Sequence, residues 1–215
     1  MNGFLKYDGP ESRHCVYNEY VALRLAQALR VPVADGVLAV AGDGLAYASL
    51  EVAMPGIDLP DMIARQAARV ASQYPRGAAA LVAFDIWIGN WDRGRNLKAS
   101  VASPHLPLFL AFDHSHALLD IKADAGESVA CLAGGALIAA SHPFYGLVES
   151  ENLGGWVSRI AGLDAGLLAD CCVFHRPFRS VDVGLQKSLG NALASRAACL
   201  SGIIAENKAK VFATP

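Results

Sequence analysis

Two carboxylates and an amide in the middle of the chain have the types and spacing for phosphate chemistry. Asp92 lies in the polar run Gly89-Asn90-Trp91-Asp92-Arg93-Gly94-Arg95-Asn96, and Asp113 leaves the apolar run Leu108-Phe109-Leu110-Ala111-Phe112 towards His114 and Ser115. Phosphoryl transfer from ATP needs a carboxylate to orient the attacking hydroxyl and oxygen ligands to hold Mg2+ against the phosphates. It also needs a cation on those phosphates. Lys6 and Glu19, thirteen positions apart, are spaced so that an ion pair can aim Lys6 at phosphate oxygens. The candidate catalytic residue is therefore Asp92, and the candidate metal ligands are Asn96 and Asp113. The candidate cofactor-binding positions are Lys6 and Glu19, with Glu51 and Ala53 further along the same half of the chain.

The elements that must position these residues follow from periodicity and turn chemistry. Residues 4–7 form a short strand ended by Asp8-Gly9-Pro10, and residues 12–30 form a helix with Val21, Leu25, Ala28 and Leu29 on one face and Pro32 just beyond it. Residues 37–40 and 47–53 flank Gly42-Asp43-Gly44 as a hairpin, and residues 54–58 form a linker. Asp58 caps a helix that carries Pro60 in its first turn and closes at Pro75, and residues 77–88 form a second, apolar helix. Strands at residues 97–101 and 108–112 then make a hairpin that returns Asp113 to the end where Asp92 and Asn96 stand. Beyond Asp113 the chain reads as helical, with residues 129–140 as a buried helix. In the last helix, Leu185, Leu189, Ala192, Arg196, Leu200 and Ile203 recur at helical steps, as a core face or a dimer surface. The expected fold class is α+β, with a reduced sheet lobe over residues 1–55 and a mainly helical lobe over residues 56–215.

Composition bounds the partners. With 18 Lys and Arg against 20 Asp and Glu in 215 residues, the chain has no broad field for a polyanion, so neither nucleic acid nor an anionic membrane is expected as a generic partner. The start lacks the pattern of a secretory signal, and residues 129–140 are shorter than the roughly 20 that span a bilayer, so the expected location is cytoplasmic. The cysteines Cys15, Cys131, Cys171, Cys172 and Cys199 contain no Cys-x-x-Cys pair and read as free thiols. His114 and His116 lack any further ligand at zinc-site spacing, and Gly42-Asp43-Gly44 lacks the Gly-x-x-x-x-Gly-Lys of a phosphate loop. Arg93 and Arg95 read equally well as contacts to phosphate or Asp113 and as solvated surface charges.

The ordered set resembles the HipA-like branch of the protein-kinase superfamily, bacterial serine/threonine kinases that include toxin components of toxin-antitoxin pairs. The resemblance covers most of the chain. It rests on Lys6 followed by Asn18-Glu19-Tyr20 at the start of a helix, and on Phe84-Asp85-Ile86-Trp87-Ile88-Gly89-Asn90-Trp91-Asp92-Arg93 as the catalytic loop. Phe112-Asp113-His114-Ser115 is similar to the metal-binding loop. It implies an ATP- and Mg2+-dependent kinase acting on Ser or Thr of a protein substrate, in which Asp92 orients the hydroxyl, Asn96 and Asp113 bind Mg2+, and Lys6 contacts ATP phosphates while paired with Glu19. The pattern departs in two places. Asn96 stands four residues after Asp92 rather than five, and only five residues precede Lys6, which leaves no glycine-rich hairpin over the phosphates. That hairpin supplies positioning and electrostatic stabilisation. A degenerate kinase, a shortened family, or a partner chain or homodimer that completes the sheet lobe each accounts for the departure, and a kinase-fold module that binds nucleotide or protein without catalysis is the alternative function. Lipid phosphorylation is disfavoured by the absence of a basic amphipathic surface.

Overall fold

The computed structural model describes residues 3–42, 44–50, 61–100 and 108–212. Glu51 and Ala53, the linker and the Asp58 cap lie outside them. The chain opens with strand β1 (Gly3–Lys6), helix α1 (Cys15–Leu29) and the hairpin β2 (Gly36–Ala41) and β3 (Gly44–Leu50). The three strands form one antiparallel sheet in the order β1-β3-β2, in which Lys6 pairs with Tyr47. Gly42, at φ +55°, makes the turn that Gly42-Asp43-Gly44 suggests. Helix α1 ends in Arg30 at φ +57°, and its apolar face, including Val21, Leu25 and Leu29, is buried.

Just beyond α1 the chain joins this sheet to a second hairpin. Ala111 N–H donates to the Pro32 carbonyl at 2.9 Å and Ala34 N–H to the Ala111 carbonyl at 2.7 Å. Residues 32–34 thus flank strand β5 (Phe109–Ala111), which pairs antiparallel with β4 (Leu97–Ala99). On the far side Met62 N–H donates to the Leu97 carbonyl at 2.7 Å, and Asp61 pairs with Lys98 at 3.1 Å. These partners hold a hairpin whose two strands are only three residues long. Its strands are shorter than expected, but its ends fall where the spacing of Asp92 and Asp113 requires.

Helix α2 (Ala67–Gln73) comes after a 3₁₀ turn at Ala64–Gln66. Asp61 belongs to a bridge with Lys98 instead of a helical first turn, so the helix begins later than its expected start near Asp58. Pro75 occupies the first turn of α3 (Pro75–Ile88), where its missing N–H costs nothing. Helices α4 (Ala125–Ala133), α5 (Ser150–Ala161), α6 (Ala165–Cys172), α7 (Val183–Glu206) and α8 (Lys208–Val211) complete the chain. Residues 129–140 do not form one buried helix. Helix α4 stops at Ala133, where adjacent Gly134 and Gly135 remove the propensity to continue, and the segment is largely exposed. Helix α7 packs against α3, α4, α5 and α6, so its apolar face is core and no dimer surface. Arg196 on that face is fully buried and donates to the carbonyls of Ile86, Leu132, Gly134 and Ala136 at 2.9–3.3 Å.

No disulfide forms: Cys15, Cys171 and Cys172 are buried thiols, Cys131 is half-buried and Cys199 is exposed. Burial, with Glu19 nearby, pushes the Cys15 thiol up to about 12, and burial next to Cys171 pushes Cys172 up to about 12. Because the thiolate is the nucleophile, iodoacetamide at neutral pH is expected to label Cys199 first and Cys15 and Cys172 at least about 10²-fold more slowly. Peptide mapping of the labelled protein, native and in denaturant, checks this. Comparable labelling of Cys15 and Cys199 in the native chain would contradict the packing around α1.

Candidate active site

Gly89 ends α3 at φ +70°, and a Cβ there would lie 2.5 Å from Ile121 Cδ1. This position requires glycine on both counts, and it turns the chain into the loop that carries Asp92. That loop is held from inside. Asp85, the one charged residue in the apolar stretch of α3, is fully buried and accepts from Arg93 Nε at 2.7 Å, Arg93 Nη2 at 2.9 Å and Asn90 Nδ2 at 3.0 Å. His142 supplies a fourth donor. Its Nδ1 accepts from Phe144 N–H, which leaves the proton on Nε2, 3.1 Å from Asp85 Oδ2. Burial lowers the His142 pKa further than Asp85 can raise it, so the ring is neutral. Burial alone would raise the Asp85 pKa, but Arg93 and His142 outweigh it and hold the carboxyl well below the usual carboxylate range.

Arg93 also spans the two loops of the site. Its Nη1 donates to the carbonyls of Asn96 at 2.9 Å and Phe112 at 2.6 Å, and Phe112 N–H donates back to the Asn96 carbonyl at 3.1 Å. The residue before Asp113 is therefore fastened to Asn96. Arg93 is neither a surface charge nor a phosphate contact: at 1% exposure it is a structural clamp, because the buried Asp85 compensates its charge. Arg95 is exposed.

Asp92 is exposed, and among the described residues only its backbone is engaged. Its N–H donates to Asn90 Oδ1 at 3.3 Å, and its carbonyl accepts from Asn96 Nδ2 at 2.9 Å. The carboxylate is left for a ligand while the loop beneath it is fixed. By spending its amide N–H on Asp92, Asn96 leaves Oδ1 as an acceptor lone-pair site.

On β1, Lys6 Nζ donates to Glu19 Oε1 at 2.6 Å and lies 3.0 Å from Asp113 Oδ1. The expected Lys6–Glu19 pair is present, and it reaches Asp113 as well. Burial by itself lowers the Lys6 pKa, but Glu19 and Asp113 together overcome it and raise the ammonium above its ordinary value. Burial likewise opposes ionisation of Asp113, but Lys6 and Ser115 prevail and depress its pKa. Asp113 adopts φ +60°, a left-handed conformation that costs a non-glycine residue about 1 kcal/mol or more and that Asp and Asn tolerate best. Ser115 Oγ and N–H, donating to Asp113 Oδ1 at 2.7 and 3.2 Å, hold the carboxylate in place. Glu19 adds a second tie, since its Oε1 accepts from His114 N–H at 3.0 Å.

Helix α1 carries a further anchor that the spacing did not suggest. Asn18, fully buried, donates to the Ser115 carbonyl and Asp120 Oδ2, each at 3.1 Å, and accepts from Leu119 N–H at 3.2 Å. Asp120 also accepts from Ser12 Oγ, His14 N–H and His14 Nδ1 at 2.7–2.9 Å. The loop after Asp113 is thereby locked to the start of α1. The signals for these positioning residues were lone polar side chains inside apolar helices: Asn18 and Glu19 in α1, Asp85 in α3.

For Mg2+, the hard oxygen donors of Asn96 and Asp113 are the right chemistry. Among the described residues no group of three or more His, Cys, Asp or Glu could cage a metal. A site with few protein ligands suits Mg2+, which takes phosphate oxygens and water for its remaining positions. The carboxyl chemistry also sets an acid limit. Asp85 and Asp113 have folded pKa values below the unfolded value of about 3.9, so the unfolded chain binds their protons first as pH falls. Their contribution is complete above about pH 5 and is lost progressively below about pH 4. Urea melts are expected to show stability falling on acidification, first below about pH 6.5, where the unfolded chain protonates His142 ahead of the folded one, and further below about pH 4; stability that rises on acidification would contradict these assignments.

No family model matches the chain, and no curated protein matches it in sequence. Solved structures do match in fold. The HipA toxin of Shewanella oneidensis MR-1, solved with HipB and its operator DNA, superposes with a TM-score of 0.63 at 16% identity, over 95% of this chain and 59% of that one. The Helicobacter pylori proinflammatory kinase CtkA superposes with a TM-score of 0.62 at 12% identity, over 94% of this chain and 89% of that one. The chain thus spans about three fifths of the HipA structure and most of the CtkA structure. No helix among the described residues is long and apolar enough to cross a membrane. With its small antiparallel sheets, its helices and these two neighbours, the chain has an α+β, protein-kinase-like fold.

Proposed function

We propose that the chain is an ATP- and Mg2+-dependent phosphotransferase of HipA-like type that moves the γ-phosphoryl group to a Ser or Thr hydroxyl of a protein. The observation that carries this reading is the free carboxylate of Asp92, on a loop clamped through Arg93 to the strand that delivers Asp113 to Lys6 and Glu19. In this reading Asp92 accepts a hydrogen bond from the acceptor hydroxyl and takes up its proton as the oxygen–γ-phosphorus bond forms, while the bond from the γ-phosphorus to the β,γ-bridging oxygen breaks and ADP leaves. Lys6 exchanges its contact with Asp113 for phosphate oxygens while Glu19 keeps its orientation. Asn96 Oδ1 and Asp113 would hold Mg2+, which would neutralise phosphate charge. Glu51 and Ala53 are proposed to border the nucleotide, at a division between residues 1–55 and 56–215. The proposed location is cytoplasmic.

The edge of β1 supports a role for a second chain or copy in completing the sheet, since Phe4 and Leu5 there are 68% and 50% exposed. An exposed, apolar sheet edge is a template for strand addition.

Transfer of label from γ-labelled ATP, to the protein itself or to a cell lysate, tests the reading. Wild-type transfer no greater than that of Asp92→Ala would defeat it. The loop, one residue shorter between Asp92 and Asn96, favours a second reading in which the fold binds nucleotide without transfer. Calorimetric titration with ATP and Mg2+ separates the two, because binding without transfer is the outcome specific to it.

A further inference from the structure

Between α6 and α7 the chain makes a tight turn, closed by Phe178 N–H to the Val181 carbonyl at 2.8 Å and by Val181 N–H to the Phe178 carbonyl at 3.0 Å. Phe178 anchors the turn, since its buried ring packs on Tyr17 and Tyr20 of α1 at 5.5 and 6.3 Å. Arg179, the next residue, adopts φ +54°. Glycine or asparagine suits a left-handed turn position, and arginine has no backbone reason to occupy it. Strain of this kind directs attention to the side chain.

That side chain leaves its own turn and crosses to the three-stranded sheet. Its Nε lies 2.6 Å from Asp8 Oδ2, and its Nη1 donates to the Leu45 carbonyl. The β1–β3 ladder ends with Lys6 opposite Tyr47, so the same register carried two residues further sets Asp8 opposite Leu45. Arg179 therefore bridges the two strands just beyond the last ladder pair, the pair that contains Lys6. Asp8 Oδ1 accepts from Val16 N–H at 2.9 Å in the first turn of α1, three residues before Glu19. One guanidinium thus fastens, directly or through Asp8, the strand bearing Lys6, the strand paired with it and the helix bearing its counter-charge. With the Asp8 side chain only 15% exposed, the pair is less screened than one at an open surface.

We propose that Arg179 is a positioning residue for Lys6: it holds the end of β1 and the start of α1 in the arrangement that keeps the Lys6 ammonium beside Glu19 and Asp113, where it is presented to the nucleotide phosphates. The inference rests on the phosphotransferase reading for the nucleotide, but the clamp itself is measurable without one.

The test uses the full chain. Arg179→Gly removes the side chain and suits the turn backbone, so the fold is retained and the midpoint of thermal unfolding should stay within about 3 °C of wild type. In amide hydrogen exchange, β1, β3 and the first turn of α1 are expected to exchange about tenfold faster in this variant, with α3 and α7 unchanged. In calorimetric titration with ATP and Mg2+, its affinity is expected to be about fivefold weaker. Arg179→Lys, which keeps the charge at Asp8 without the second bond to Leu45, should recover part of that loss. Asp8→Asn keeps an acceptor for Val16 but no charge for Arg179; it should weaken ATP by a similar factor and add little to Arg179→Gly in the double variant. Unchanged exchange in β1 and β3, ATP affinity within about twofold of wild type, additive effects of the two changes, or a loss of protection that spreads to α3 and α7 overturns the proposal. A wild-type chain that binds no ATP removes the phosphotransferase reading, and faster exchange confined to β1, β3 and α1 then keeps the clamp. ATP binding with unchanged exchange does the reverse.

Discussion

Asp113→Asn is expected to leave the fold intact and to lower phosphoryl transfer by at least about 10³-fold. Asparagine is nearly isosteric with aspartate and tolerates the φ of +60° at this position, and its Oδ1 still accepts from Ser115 Oγ and N–H. What it lacks is the charge. Without a carboxylate the proposed Mg2+ loses the anionic one of its two proposed protein ligands, and Lys6 keeps Glu19 as its counter-charge while still reaching the Oδ1. Asp113→Ala would also lose the Ser115 bonds at a strained position, so the Asn variant separates chemistry from folding. Single-turnover transfer, with thermal melting in parallel, is the measurement; retention of more than about a tenth of the wild-type rate would remove Asp113 from the metal. Asp92→Ala gives the companion value. Its carboxylate makes no bond to the described residues, so stability should be unchanged while kcat falls about 10²- to 10⁴-fold, the usual worth of a positioned general base.

The second large effect is on stability. Asp85→Ala is expected to cost about 3–5 kcal/mol, because it strands the fully buried Arg93 guanidinium without a counter-charge and unsatisfies Asn90 and His142. For a chain of this length the midpoint of thermal unfolding should drop by about 10 °C. Removing the charge from both partners, as Asp85→Ala with Arg93→Met, should cost less than the sum of the single changes, since neither partner then remains as an unpaired buried ion. A loss below about 1 kcal/mol for Asp85→Ala would show that the cluster is not what holds the loop. Activity should also fall in Asp85→Ala below its melting temperature, because Arg93 is the tie between Asn96 and Phe112.

Much of this site was legible from local chemistry. The strand carrying Lys6, helix α1, the hairpin around Gly42 and the return of Asp113 through β4 and β5 all follow from periodicity and turn residues, signals that lie within a few positions of each other. The same locality explains the errors. An apolar run at residues 129–140 looks helical until the two glycines after Ala133 are weighed, and the position of Asp61 is decided by its bridge to Lys98, a partner far along the chain. Arg93 shows the limit most clearly. Its neighbours are polar and its loop is exposed, so nothing nearby signals that its side chain turns inward to Asp85.

Residue types and order alone single out Lys6, Glu19, Asp92, Asn96 and Asp113 as candidates for phosphate and Mg2+ chemistry, because donor type and charge are properties of single side chains. The sequence also determined the succession of elements, because helix and strand periods are local. Only the tertiary structure decided that Lys6 touches Asp113 as well as Glu19, that Asn96 is pinned beside Phe112, and that Arg93, Asp85 and His142 form a buried clamp. The reason is physical. A charge can be buried only when its partners come from several distant segments at once, and no single stretch of sequence contains all of them.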